Sequence, residues 1–244
     1  MKMRDLLWAE RRKLRRSNIL LIAFFAVIMV AIIVYAQGQF SYYGKRYVEV
    51  NEWYMTAALS LGSLYVLPAI IALTGTYIIQ LEDQSDTMKS LAIVPVSLPR
   101  MIRAKWIVTA VITLALYLIL FLITLTTEAI LHFPLLTPSG ILSFVKQYII
   151  QGLSLFLAVS PIIALAAKMR KGYWLAFIFA EGYSFAALFV GMQPTISAVY
   201  PITAAFHVSG YYKTTPTQML LSICSLAICG TLTVAIFHQL KQES

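Results

Sequence analysis

A chain of 244 residues that is 60% hydrophobic and only 12% charged, with mean hydropathy +0.79, lies outside the range of water-soluble globular domains. No polar stretch is long enough to build a soluble domain with its own core, which excludes a nucleotide-driven motor within this chain. The net charge of +9 would suggest a polyanion in a soluble protein, but here its distribution reads as membrane topology, and no nucleic-acid partner is expected.

A bilayer-crossing helix needs about 20 mostly apolar residues. Six such runs occur, near 19–36, 56–79, 106–127, 146–167, 173–192 and 218–238. The expected fold class is an all-α integral membrane protein, a single six-span domain over 1–244. Fifteen of the 19 Lys and Arg fall before residue 17, in 80–105, in 168–171 and at Lys241; only Lys45, Arg46, Lys146 and Lys213 face the other side. The positive-inside rule then puts both termini in the cytoplasm of a multi-pass plasma-membrane protein, with some added attraction to anionic lipid. The first span is too long for a cleaved signal peptide.

Taken in order, residues 1–17 read as an interfacial amphipathic helix. Met3, Leu6, Leu7 and Leu14 gather on one arc, and Arg4, Arg11, Arg12, Arg15 and Arg16 fall mostly opposite. Glu10 falls inside the apolar arc, an expensive place for a carboxylate unless it finds a partner. Residues 37–54 form an outer loop rich in Tyr and Trp, as an interfacial aromatic belt requires. The second span carries Pro68, which predicts a kink whose freed carbonyl a neighbouring helix satisfies.

Residues 81–105 are the one long polar interruption in the first half of the chain. Ser85 or Asp86 caps a short helix carrying Met88, Leu91 and Ala92, and Pro95 stops it. A second short helix starts after Ser97, with Pro99 in its first turn. Two capped helices between two spans make a cytoplasmic knob, read as a docking surface.

Glu128 ends the third span on the outer side. The fourth contains Gln151, Gly152, Ser154, Ser160 and Pro161, residue types that face other helices. Glu181 in the fifth is the one charge expected deep in the hydrocarbon, at a cost on the order of 3 kcal/mol unless it faces protein or water. Residues 193–217, punctuated by Pro194, Pro201 and Pro216, read as a re-entrant or interfacial helix pair, or as a loop on the headgroups. Cys224 and Cys229 read as packing residues, and the three His offer no metal spacing.

No catalytic signature is present, so no active site and no cofactor are assigned to this chain. The sequence E82-D83-Q84-S85-D86-T87-M88-K89-S90-L91, followed by P95-V96-S97 and closing on R103-A104-K105, together with the six-span layout, resembles the type-II ABC exporter permeases. Within them it is similar to the permeases of bacitracin-resistance and lantibiotic-immunity transporters. Asp86 stands where that pattern usually has a small residue, and Leu98 where it usually has Arg.

The resemblance implies a separate ATP-binding subunit, acting as a dimer and carrying ATP and Mg. It would contact the knob through Glu82, Asp83, Ser85, Asp86, Thr87, Met88, Lys89 and Leu91. It also implies a second permease chain, related but different, and a membrane-active antimicrobial peptide as cargo. A basic peptide would favour acidic and aromatic groups along its path, for which Glu181 and Glu128 are the candidates. Two other readings stay open at this point: an ion-coupled transporter with Glu181 as proton site, and a membrane sensor or anchor that transports nothing.

Overall fold

The computed structural model describes residues 3–14, 17–42, 44–84, 98–169 and 172–240. Helices carry nearly all of them. The elements are α1 (Met3–Leu14), α2 (Ile19–Gly38), α3 (Trp53–Leu61), a π-helical turn over Gly62–Val66, α4 (Leu67–Gln84) and α5 (Leu98–His132). They continue with α6 (Pro138–Lys168), α7 (Trp174–Val190), α8 (Pro194–Ser197), α9 (Pro201–Val208) and α10 (Pro216–Leu240). A two-residue hairpin pairs β1 (Ser41–Tyr42) with β2 (Lys45–Arg46), and Gly44 at φ 80° supplies the left-handed residue of its turn.

Among the described residues, five helical stretches are long and apolar enough to cross a bilayer: Ile19–Gly38, Trp53–Leu81, Arg100–Leu135, Pro138–Lys168 and Pro216–Gln239. The run expected at 173–192 forms α7, which has 17 residues and is shorter than these. α2 shows why such helices need an apolar solvent. Ala23, Val27, Val30 and Val34 are buried on one side, while Leu21, Phe25, Ile32 and Ile33 on the other are equally apolar and exposed.

The helix expected after Ser97 is described from Leu98 onward, and it is not short. α5 runs from Leu98 for 35 residues without a break. Pro99 sits in its first turn, where the missing N–H is an orphan anyway, and no Gly or Pro follows before Pro134, so nothing stops propagation into the span. The helix expected between Ser85 and Pro95 lies outside the described residues.

The two prolines inside spans have their freed carbonyls satisfied. At Pro68 the span loosens into the π-helical turn just before it, and the Leu64 carbonyl, four residues back, accepts from Ser184 Oγ of α7. At Pro161 the Leu157 carbonyl accepts from Ser160 Oγ at 2.8 Å, and that hydroxyl also meets Thr233 Oγ1 of α10 at 2.7 Å. Gln151, Gly152, Ser154 and Ser160 of α6 are all buried, as their residue types predict. Gly152 lets α5 approach: a Cβ there would lie 2.8 Å from the Tyr117 ring. Gly75 does the same between α4 and α6, where a Cβ would meet Ile163 at 2.7 Å.

Between α7 and α10, prolines at 194, 201 and 216 each open a helix, the position at which a missing N–H costs nothing. α9 is not laid on the outside of the bundle. Ile202, Ala204, Ala205 and Phe206 are fully buried, packed against α6 and α10. Hydroxyl groups fasten this segment to its neighbours: Tyr200 OH donates to the Tyr183 carbonyl at 2.5 Å, and Ser222 Oγ to the Ala198 carbonyl at 3.0 Å.

Candidate functional site

The site is built where α1, the end of α4, the start of α5 and the end of α6 meet. Lys105 is reached two turns into α5, and its neighbours Ala104 and Ile102 are buried, so its long side chain is drawn inward. It is 1% exposed, its Nζ donates to the Ile78 carbonyl of α4 at 2.5 Å, and Glu10 Oε2 of α1 stands 3.6 Å away. Glu10 lies on the stripe Leu6, Glu10, Leu14, one residue every turn, which faces the bundle and leaves Glu10 4% exposed. Its other oxygen accepts from Lys13 Nζ at 2.9 Å. A buried carboxylate and a buried ammonium at this junction are therefore each other's compensation.

Further polar contacts tie the same end together. Gln80 Nε2 donates to the Ala166 carbonyl in the last turn of α6 at 3.0 Å, satisfying an end-of-helix acceptor. Ser17 Oγ donates to Tyr77 OH at 2.9 Å, fixing the link between α1 and α2 against α4. The result is a rigid collar around the places where the chain leaves α4 and re-enters at α5.

Of the residues proposed to contact a partner, Glu82 and Asp83 belong to the last turn of α4. Ser85, Asp86, Thr87, Met88, Lys89 and Leu91 lie outside the described residues. The two acids proposed for a cargo path are not brought together. Glu128 is fully buried near the far end of α5, where its Oε1 accepts from the Glu52 backbone N–H at 2.8 Å and meets His132 Nδ1 at 2.9 Å. It holds the start of α3, where Glu52 takes the left-handed φ of 65°. Glu181 sits on α7, which packs on α4; it is half-buried, and no hydrogen bond or ion pair reaches it among the described residues. Next to it, Gly182 faces open space.

The sequence marked Glu10 as a carboxylate in need of a partner but did not find Lys105, 95 positions later, which read only as the end of a motif. Gln80 was missed altogether, and its one signal was a polar residue on an otherwise apolar turn. Among the described residues, no three His, Cys, Asp or Glu side chains gather closely enough to hold a metal ion.

A family model described as ABC-2 family transporter protein matches residues 6–187, which is more than half of the chain and spans the collar, both acids and the 81–105 interruption. The chain belongs to this family. It is a membrane permease subunit of an ABC transporter, and membership implies an ATP-binding partner. No curated protein matches the chain. In this ABC-2 permease the collar ties α1, α4, α5 and α6 together.

Proposed function

We propose that this permease is one half of an ATP-driven exporter that expels a membrane-active antimicrobial peptide and so confers immunity or resistance. In this reading α7 is the sixth span. Its 17 residues give about 26 Å of helix, near the roughly 30 Å of hydrocarbon core, and its exposed Trp174, Phe185 and Phe189 suit a membrane or a protein neighbour. Both termini and residues 81–105 are cytoplasmic, by the distribution of Lys and Arg, and α1 lies in the cytoplasmic interface.

The partner ATPase, carrying ATP and Mg and acting as a dimer, grips the segment after α4 through Glu82, Asp83, Ser85, Asp86, Thr87, Met88, Lys89 and Leu91. The observation that supports this is the collar: a buried Lys105–Glu10 pair and the Gln80 amide brace the two helix ends that flank the segment. Movement of the segment is then passed to α4, α5 and α1 as one body. A second permease chain, related but different, completes the transporter. Glu181, with no partner among the described residues, and the open face at Gly182 suit that interface or a wet path between the two chains. Glu181 lines the route of a basic peptide in this reading, whereas Glu128, fully buried, serves to anchor the start of α3.

The test is purification of the chain from its native membrane with whatever accompanies it. An ATPase dimer and a second six-span chain are expected, and Asp86→Lys with Met88→Asp should abolish cargo-stimulated ATP hydrolysis while leaving the permease in the membrane. Recovery of the chain with no ATPase would refute the proposal.

A further inference from the structure

The stretch R103-A104-K105 sends its two charges in opposite directions. Lys105 goes inward to Glu10, and Arg103 is exposed on the other side of α5. There, α5 and α10 border a groove of about 580 Å³ whose walls are Trp106, Ile107, Val234 and Phe237, with Arg103 and His238 at its polar end. Its polar chemistry is almost all donor. Arg103 offers a guanidinium fork, and the Thr233 hydroxyl is already spent on the Cys229 carbonyl and Ser160. Among the described residues, no acidic side chain lines it. Exposed Arg4, Arg11, Arg12 and Arg100 make the surrounding end of the molecule basic as well.

We propose that this groove is a binding site for an anionic phospholipid. One acyl chain lies along Trp106, Ile107, Val234 and Phe237, and the phosphate is held by Arg103 and His238. An apolar wall that ends in unpaired donors and a fixed positive charge is complementary to a lipid whose head carries only acceptors and negative charge. A zwitterionic lipid fits the wall equally well but brings its own cation to the guanidinium. The site rests on the proposed topology only in placing this end at the inner leaflet; the lipid chemistry follows from the groove itself. Trp106 ties it to the bundle, since its ring packs on Phe156 of α6 at 5.1 Å between centroids, one residue from Lys105.

The test uses the full chain in nanodiscs of phosphatidylcholine containing a small fraction of lipid brominated on its acyl chains, with either a phosphatidylglycerol or a phosphatidylcholine head. Bromine quenches indole fluorescence on contact, and the difference between wild type and Trp106→Phe isolates Trp106 from the other three Trp. Brominated phosphatidylglycerol is expected to quench Trp106 at about fivefold lower mole fraction than brominated phosphatidylcholine. Arg103→Gln with His238→Gln should bring the two lipids to parity. Equal quenching by the two lipids in wild type would reduce the groove to ordinary annular contact and overturn the proposal. Protection of Trp106 from both would show the groove covered by protein and overturn it as well. If the double variant fails to fold, the wild-type headgroup comparison decides alone. None of these readings uses an ATPase, so failure of the transporter proposal and failure of this one are separately visible.

Discussion

Removing both members of the Glu10–Lys105 pair should cost no more than removing one. Lys105→Met keeps the length and apolar stem but deletes the ammonium that faces Glu10 at 3.6 Å and donates to the Ile78 carbonyl. Breaking a buried pair from one side costs about 3–5 kcal/mol, because the remaining charge is left without compensation. Glu10 keeps Lys13, whose side chain is 35% exposed, so the loss sits at the low end, about 3 kcal/mol. Glu10→Leu removes the carboxylate 3.6 Å from the buried Lys105 ammonium, again about 3 kcal/mol. The double variant replaces both charges by apolar groups on a stripe that already holds Leu6 and Leu14, and it should be no less stable than either single. The cycle then yields a coupling of about 3 kcal/mol, the upper end for residues in contact. Detergent-titrated unfolding in mixed micelles, followed by tryptophan fluorescence, measures all four corners. Simple additivity, or single effects below about 0.5 kcal/mol as for an exposed pair, would refute a buried, mutually dependent pair.

Ser184→Ala should cost about 1–2 kcal/mol by stranding the Leu64 carbonyl, and the cost should largely vanish in a Pro68→Ala background, where an amide returns to that carbonyl; an equal cost in both backgrounds would contradict the assignment. Gly152→Ala should destabilise by about 1–3 kcal/mol, since its Cβ would sit 2.8 Å from the Tyr117 ring. Gly182→Ala, which meets nothing within 4 Å, should be neutral or stabilising by up to about 1 kcal/mol in the same unfolding assay. His207 is held below its ordinary pKa by burial between Ser197 and Thr214, so the neutral ring is the folded form. Its contribution is complete above the unfolded value of about 6.5 and is lost as pH falls through the lower folded value. Proteolysis of the 193–215 segment should therefore accelerate on acidification in wild type and respond less in His207→Gln; identical pH profiles would remove His207 as the cause.

Much of the architecture is determined by the sequence alone, because each signal is local. Runs of about 20 apolar residues mark where helices must lie, since a bilayer leaves the backbone no other partners. Prolines at 194, 201 and 216 mark helix starts, because only a first-turn position tolerates a missing N–H. Small residues at 152 and 160 mark buried faces for the same local reason. The polar interruption at 81–105 gave the resemblance that the family match supports at the level of an ABC-2 permease.

Tertiary structure decided what depends on a partner far away in the chain. Glu10 is costly on its own and reasonable beside Lys105, and no periodicity within α1 can reveal a residue on α5. The same holds for Ser184 and the Leu64 carbonyl, 120 positions apart, and for Glu128, which the sequence offers as a candidate on a cargo path and the fold uses to anchor the start of α3. The continuity of α5 through Arg100–Trp106 is a subtler case. The sequence holds no helix breaker between Arg100 and Trp106, and packing of Ile102, Ala104 and Lys105 against the rest of the bundle holds this stretch as one rod with the span. Helix existence is a property of a segment and its solvent, whereas the pairing of buried charges and freed carbonyls is a property of which helices meet.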